Sequence, residues 1–179
     1  LLCPTKELHL SQLIVAKFGG TSVANAQAMD LCATLLEQNP ATRVAVLSAS
    51  SGVTNILVTL ANGEQAPESR IALLQQLTKI QKSLLTSLGD PETLTRHIDD
   101  ILRYIKKLSD SAAISPTKAL HDEIVAQGEL MSTRIFVELL RQRNIAAHWF
   151  DVRKVMRTDD RFAHAKPDLA TLKAEVEKE

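Results

Sequence analysis

Aromatic residues are scarce in this chain of 179 residues, where phenylalanine, tryptophan and tyrosine together make up 3%. Net charge is also absent, because 21 basic side chains balance 21 acidic ones at pH 7. Proteins that bind nucleic acid normally combine excess positive charge with aromatic side chains that stack on bases. The composition therefore argues against nucleic acid as a partner, and the zero net charge argues equally against attraction to anionic lipid.

Cysteine and long apolar runs are missing as well. Cys3 and Cys32 are the only cysteines, too few for a disulfide framework or a metal site, which favours the reducing cytoplasm. The five histidines show no ligand spacing, so no metal site is predicted. No apolar stretch is long enough to cross a bilayer, and residues 1–12 lack the features of a signal peptide. We interpret residues 1–12 as an N-terminal extension.

Three compact apolar runs predict short buried strands at residues 13–18, 43–49 and 147–152. A helical pattern separates the first two and ends at Asn39-Pro40. Strand, helix and strand in this order predict a parallel pair with a right-handed crossover. The fold class predicted is α/β, a parallel sheet in an α/β/α sandwich. Three strands are fewer than the roughly five of an average sheet, so we interpret residues 13–179 as the N-terminal portion of a longer domain.

Helical patterns fill most of the remaining chain, with no strand between them. They cover residues 53–62, 67–88, 92–110 and 117–143, and a further amphipathic helix begins near the end of the chain. Gly89 is expected to end one helix and Asp90-Pro91 to begin the next. The apolar stripes on either side of this turn predict a helical hairpin, inserted at about residues 64–115.

The first predicted strand ends in Lys17-Phe18-Gly19-Gly20-Thr21-Ser22. Glycines allow backbone N–H groups to approach an anion closely, and the N-terminus of the following helix adds positive potential. Lys17 contributes a full charge and Ser22 a hydroxyl. This combination favours phosphate, although it matches neither the P-loop nor the dinucleotide-binding pattern. A plain glycine turn with a solvated lysine remains the alternative.

The second predicted strand runs into "LSASSGVTN", with Ser48 and Thr54 at the carboxyl end of a parallel strand. Open α/β sheets bind ligands at that edge, although such hydroxyls also serve as ordinary helix caps. Further along, "AQGELMST" places Glu129 in an apolar helical pattern. If it lies near buried surface, that carboxylate needs a cation or hydrogen-bond donors, and a substrate ammonium would serve. An exposed helical glutamate is the competing interpretation.

Taken together, "KFGGTSV", "LSASSGVTN" and "GELMS" resemble the aspartokinases of the amino acid kinase superfamily. The stretch "WFDVRKVMRTDDRF" resembles the lysine-sensitive, monofunctional class within them. The resemblance extends from about residue 13 to the end of the chain. It implies transfer of the γ-phosphoryl group of ATP, with Mg²⁺, to the side-chain carboxylate of L-aspartate. The product is 4-phospho-L-aspartate, in the first step of lysine, threonine and methionine biosynthesis.

The resemblance also implies roles for individual residues. Lys17 would stabilise the transferring phosphoryl group, and the ATP phosphate loop would comprise Lys17, Phe18, Gly19 and Gly20. Residues matching aspartate-binding positions would be Thr54 and Glu129, with Ser48 and Ser22 as further candidates.

The family further implies a homodimer, and lysine inhibition through regulatory ACT domains. The nucleotide-binding half of the kinase domain and the ACT domains are absent from this sequence, so we expect the chain alone to be inactive or nearly so. Two alternatives remain open. One is another amino acid kinase, such as a glutamate-type enzyme, and the other is a non-catalytic fragment that acts as a folding or dimerisation module.

Overall fold

The computed structural model describes residues 14–178, so the N-terminal extension and Leu13 of the first predicted strand lie outside it. Two 3₁₀ helices, Gly20–Val23 and Val152–Lys154, accompany the strands and α-helices. The strands and α-helices are β1 Ile14–Phe18, α1 Ala26–Gln38, β2 Thr42–Leu47, α2 Val53–Asn62, α3 Pro67–Ser87, α4 Glu92–Ile114, α5 Lys118–Gln142 and α6 Leu169–Val176.

Strands β1 and β2 pair in parallel, with Lys17 opposite Val46 and Phe18 opposite Leu47. Side chains alternate across the pair, because successive residues of a strand face opposite sides. Phe18 and Leu47 are buried, whereas Val46 is 48% exposed. Helix α1 connects the strands and is N-capped by Asn25, whose side chain accepts the Ala28 N–H at 2.9 Å. The predicted strand–helix–strand unit is confirmed.

The prediction of a third strand at residues 147–152 is wrong. This segment forms no ladder, and the chain continues into the 3₁₀ helix Val152–Lys154. Its side chains pack on α5 instead: Trp149 Nε1 donates to Thr133 Oγ1 at 3.0 Å, and the Arg134 guanidinium lies 3.6 Å from the Trp149 ring centroid. A short apolar run cannot by itself show whether it will meet a strand edge or a helix. Here the helix offers a cation–π partner.

The predicted helical hairpin is present as α3 and α4, which contact each other. Gly89 adopts φ +75° after α3, and the N–H groups of Gly89 and Asp90 donate to Thr86 O and Leu85 O, both at 3.0 Å. These two bonds form a Schellman motif, which satisfies carbonyls left free at the end of α3. Helix α4 continues past the predicted residue 110, and its last turn buries Ala112.

Helix α5 contacts α1, α2, α3, α4 and β2, and so lies at the centre of the molecule. Its Phe136 packs against Phe18 of β1, with the ring centroids 6.0 Å apart. Side chains on α5 thereby fix the ends of the strands. Within residues 14–178, no helix has both the length and the apolar character needed to cross a membrane.

Gly63 and Gly89 provide a matched test of packing, because both have positive φ but only Gly63 is crowded. A Cβ on Gly63 would lie 2.1 Å from the Ala112 carbonyl oxygen, whereas one on Gly89 would meet nothing within 4 Å. We expect G89A to lower the free energy of unfolding by about 1–2 kcal/mol through left-handed strain. G63A should cost roughly 1–3 kcal/mol more through overpacking. Urea unfolding measures both, and equal losses would contradict the packing of α2 on α4.

Candidate functional site

The turns that follow β1 and β2 lie against each other. The Ser48 N–H donates to Phe18 O at 3.0 Å, which extends the strand pairing by one bond. A Cβ built on Gly20 would lie 3.0 Å from the Ala49 carbonyl oxygen. A side chain at residue 20 would therefore force the two turns apart. The structure brings together the two glycine- and hydroxyl-containing turns that the sequence predicted at neighbouring strand ends.

The first turn is a 3₁₀ helix, Gly20–Val23, in which the Ser22 N–H donates to Gly19 O at 3.0 Å. The Ser22 carbonyl accepts the Cys32 thiol at 3.2 Å, and burial raises the pKa of that thiol. A Cβ on Gly19 would meet nothing within 4 Å. The backbone at Gly19 thus borders open space, as an anion-binding loop requires.

Lys17 and Phe18 face opposite sides at the end of β1. Phe18 is 8% exposed, so its ring belongs to the core and only its backbone can take part in a phosphate loop. Lys17 is exposed, and its ammonium makes no hydrogen bond or ion pair within the part of the chain that the structure describes. Its charge therefore remains available to a ligand.

The second turn carries the remaining hydroxyl candidates. Ser48 is half-buried directly after β2, and Thr54 is exposed in the first turn of α2. Gly52 precedes α2 with φ +81°, a left-handed conformation that favours glycine. Ser50 is only 2% exposed, and its hydroxyl has no hydrogen-bond partner among residues 14–178. An orphaned buried hydroxyl is costly and so marks a place where a ligand or water could bind.

Helix α5 holds the second turn at one peptide group. The Ala49 N–H donates to Glu129 Oε1 at 3.1 Å, and Ser132 Oγ donates to Ser48 O at 2.9 Å. Glu129 is half-buried, which favours the first of the two interpretations left open for it, and its donor is a backbone amide. A Cβ on Gly128 would lie 2.7 Å from Ala49 Cβ, so only glycine allows α5 to approach this closely.

The segment after α5 is linked to the same helical turn. Thr133 Oγ1 donates to Glu129 O at 2.6 Å and accepts the Trp149 indole N–H. Further along, the Arg153 guanidinium holds the pKa of the Asp151 carboxyl below its ordinary value. The hydrogen bonds of Thr133 therefore attach the segment, through Trp149, to the turn of α5 that carries Glu129.

The structure joins some of the predicted site residues directly and leaves others apart. Phe18, Gly20, Ser48 and Glu129 are linked through the contacts between the two turns and α5. Lys17 and Thr54 are exposed, and within residues 14–178 neither side chain is hydrogen-bonded to this group. Among residues 14–178, no group of three or more histidine, cysteine, aspartate or glutamate side chains could hold a metal ion.

Two cavities lie elsewhere on the described part of the chain. One, of about 340 Å³, is bounded by α1, α3 and α5 around Met29 and Ile135. The other, of about 740 Å³, runs along α3 beside Ile71, Leu74 and Lys106. Neither includes Lys17 or Glu129, so the convergence of backbone and polar groups, and not the size of a hollow, defines the candidate site.

Gly128 and Ser132 are the residues that sequence reasoning missed. Both belong to "GELMS", where only Glu129 received a role. Their spacing of four residues places them on one face of a helix, and that pattern could have indicated a shared contact. The partner of Ser132 is Ser48, 84 residues away, and the sequence of the helix alone could not identify it.

This arrangement matches one family of enzymes. The chain belongs to the amino acid kinase family, whose model matches residues 12–178. It is 47% identical over 163 residues to the lysine-sensitive aspartokinase 3 of Escherichia coli, covering 91% of this chain and 36% of that protein. It is also 66% identical over 56 residues to a putative inactive aspartokinase 3 of Haemophilus influenzae, covering 31% of this chain and 46% of that one.

Among solved structures, the fold matches E. coli aspartokinase III in complex with aspartate and ADP in its R-state. The TM-score is 0.91 at 45% identity, covering 94% of this chain and 37% of that chain. The likeness confirms an α/β fold with parallel strands. The chain spans little more than a third of the length of these E. coli relatives.

Gly128 and Gly19 form a second matched pair. G128A should separate α5 from the second turn and lower the free energy of unfolding by roughly 1–3 kcal/mol through overpacking. G19A has open space and φ −78°, so its unfolding free energy should stay within about 0.5 kcal/mol of the parent value. Urea denaturation of both variants tests this. A G128A protein as stable as G19A would show that α5 does not approach the turn as closely as described.

Proposed function

We propose that this chain supplies part of an aspartokinase, which transfers the γ-phosphoryl group of ATP to the side-chain carboxylate of L-aspartate. One observation carries the proposal. The Gly19-Gly20 turn, the serine-containing turn after β2 and Glu129 converge at one sheet edge, in a chain 47% identical to an aspartokinase. The ADP and aspartate in the solved E. coli structure support the same nucleotide and substrate.

ATP would lie with its terminal phosphates over the first turn. Gly19 and Gly20 allow backbone N–H groups to approach phosphate oxygens, and Phe18 anchors that backbone through its buried ring. Lys17 would add the cation. Mg²⁺ would arrive on the phosphates of ATP, since magnesium is commonly held by substrate phosphates and water. This fits a site whose described residues include no carboxylate cluster.

Aspartate would bind between the second turn and α5. Glu129 would accept the α-ammonium group, which distinguishes an amino acid from a simple dicarboxylate. Hydroxyls of Thr54 and Ser48 would hold carboxylate oxygens, and Ser22 would extend this hydroxyl set from the first turn. Each hydroxyl can donate one hydrogen bond to an anionic oxygen.

In the reaction, an oxygen of the aspartate side chain forms a bond to the γ-phosphorus. The bond from that phosphorus to the β,γ-bridging oxygen breaks, and ADP leaves with the electron pair. The protein supplies positioning and charge stabilisation more than covalent chemistry. Because nucleophile and electrophile are both anionic, the Lys17 ammonium and the backbone donors would offset their repulsion.

The product, 4-phospho-L-aspartate, would enter lysine, threonine and methionine biosynthesis in the cytoplasm. We propose a homodimer that lysine inhibits, and the lysine sensitivity of the E. coli relative supports the inhibition. The regulatory ACT domains and the second half of the kinase domain that the resemblance implies would lie outside these 179 residues.

A non-catalytic role is the second candidate, favoured by the 66% identity to the putative inactive aspartokinase of Haemophilus influenzae. In that case the chain would act as a folding or dimerisation module. Its mass in solution and its turnover with ATP and aspartate distinguish the two roles.

Lys17→Met tests the catalytic proposal in the protein at its full natural length. Loss of one preorganised charge-stabilising group should lower kcat by about 10²–10³, equivalent to roughly 2.7–4 kcal/mol. The melting temperature should not change, because the ammonium has no partner in the described fold. Arg43→Met removes an exposed cation near the start of β2 and should leave kcat unchanged. Equal rates for K17M and R43M would refute the role of Lys17.

A comparison of phosphoryl acceptors tests whether aspartate is the substrate. Coupled ADP detection with aspartate and glutamate should show turnover with aspartate in clear excess. If glutamate gave the higher kcat/KM, the protein would be a glutamate-type amino acid kinase instead.

The 179-residue chain by itself should show little or no turnover, because the 163 residues it aligns with the E. coli relative are only 36% of that protein. The same coupled assay measures this. Turnover by the isolated chain at the rate of the full-length protein would show that these residues form a complete active site.

A further inference from the structure

Of the "GELMS" motif, only Glu129 has a proposed role in binding substrate. Two further residues of the motif contact the turn after β2, as Glu129 does. Gly128 lies against Ala49, and Ser132 is hydrogen-bonded to Ser48. Ser132 is 1% exposed, so this hydroxyl is fully sequestered from water. Glu129 and Ser132 therefore hold the single peptide group that joins Ser48 to Ala49, and Gly128 packs against the Ala49 side chain.

That peptide is held at both ends. Its C=O accepts Ser132 Oγ at 2.9 Å and its N–H donates to Glu129 Oε1 at 3.1 Å. Because a peptide group is planar and rigid, holding the carbonyl fixes the direction of the N–H. The direction of the N–H in turn decides where the carboxylate of Glu129 rests.

The carboxylate of Glu129 is used only in part. Oε1 accepts the Ala49 N–H, and Oε2 accepts no hydrogen bond from residues 14–178. A carboxylate has about four lone-pair sites, so one amide donor leaves most of its capacity free. A cation of the size of an ammonium group suits the remaining oxygen.

We propose that Ser132 is a positioning residue for substrate recognition. By holding the Ser48 carbonyl, it keeps the Ala49 N–H on Oε1 of Glu129 and leaves Oε2 for the α-ammonium group of the substrate. It also fixes the backbone from which the Ser48 hydroxyl projects. The functional part of this inference rests on the proposed aspartokinase activity, whereas the peptide contact itself does not.

Ser132→Ala removes the donor to Ser48, and Ser109→Ala is its matched control. Ser109 is also fully buried in a helix, and its hydroxyl donates to the carbonyl three residues earlier, Lys106 O, at 2.8 Å. Ser132 has the same kind of intrahelical neighbour, Glu129 O at 3.3 Å, in addition to Ser48. The two substitutions therefore differ in the contact between α5 and the turn.

The first measurement is amide hydrogen exchange by NMR on the protein at its full natural length, without any substrate. In S132A the Ala49 amide should exchange about tenfold faster than in the parent chain, corresponding to about 1.4 kcal/mol. S109A should leave that amide unchanged. An Ala49 amide unaffected by S132A would overturn the proposal, whatever the protein's activity.

The second measurement is steady-state kinetics at full natural length. S132A should raise the KM for aspartate about tenfold, with the KM for ATP and kcat within about twofold of the S109A values. S132T, which keeps the hydroxyl, should restore the KM for aspartate once its melting temperature shows that it folds. Equal changes in both KM values, or none, would reduce Ser132 to a structural residue. A parent protein inactive with aspartate would refute the proposed function but leave the exchange result valid.

Discussion

The contact of α5 with the Ser48–Ala49 peptide organises the candidate site. One of its hydrogen bonds joins Ala49 to Glu129, which lie 80 positions apart in the sequence. The absence of a side chain at Gly128 permits the approach, and the two hydrogen bonds give it direction. Packing and polar satisfaction reinforce each other here, because neither bond could form if the helix lay farther from the turn. The sheet edge and the helix thereby form one unit.

Side chains alternate between two faces along β1, so the neighbouring residues Lys17 and Phe18 have different surroundings. Phe18 faces Phe136 and fixes the strand to α5, while Lys17 faces outward and its ammonium has no partner within residues 14–178. A strand can serve both purposes because its side chains alternate between two faces. The glycines that follow then allow the two turns to touch. The backbone of this glycine turn therefore depends on the core directly beneath it.

Local signals predicted much of this architecture. The helices and the Gly89 turn followed from apolar spacing and from the conformational freedom of glycine, which act over a few residues. The segment at 147–152 was misassigned because an apolar run fits either a strand edge or a helix surface. Trp149 resolved that choice through Thr133 and Arg134, both distant in sequence. Ser132 was missed for a similar reason, since its partner lies in another element.

The amino-acid sequence by itself determined the paired strands, the helical hairpin, the glycine turns and the motifs that identify the amino acid kinase family. These depend on periodicity, on backbone freedom and on short patterns of residues. Only the tertiary structure decided that Phe18 is a core residue, that Glu129 shares its carboxylate with a backbone amide, and that Ser132 reaches the opposite end of the same peptide. Such contacts depend on the distance and angle between elements, which are set by the packing of the whole core.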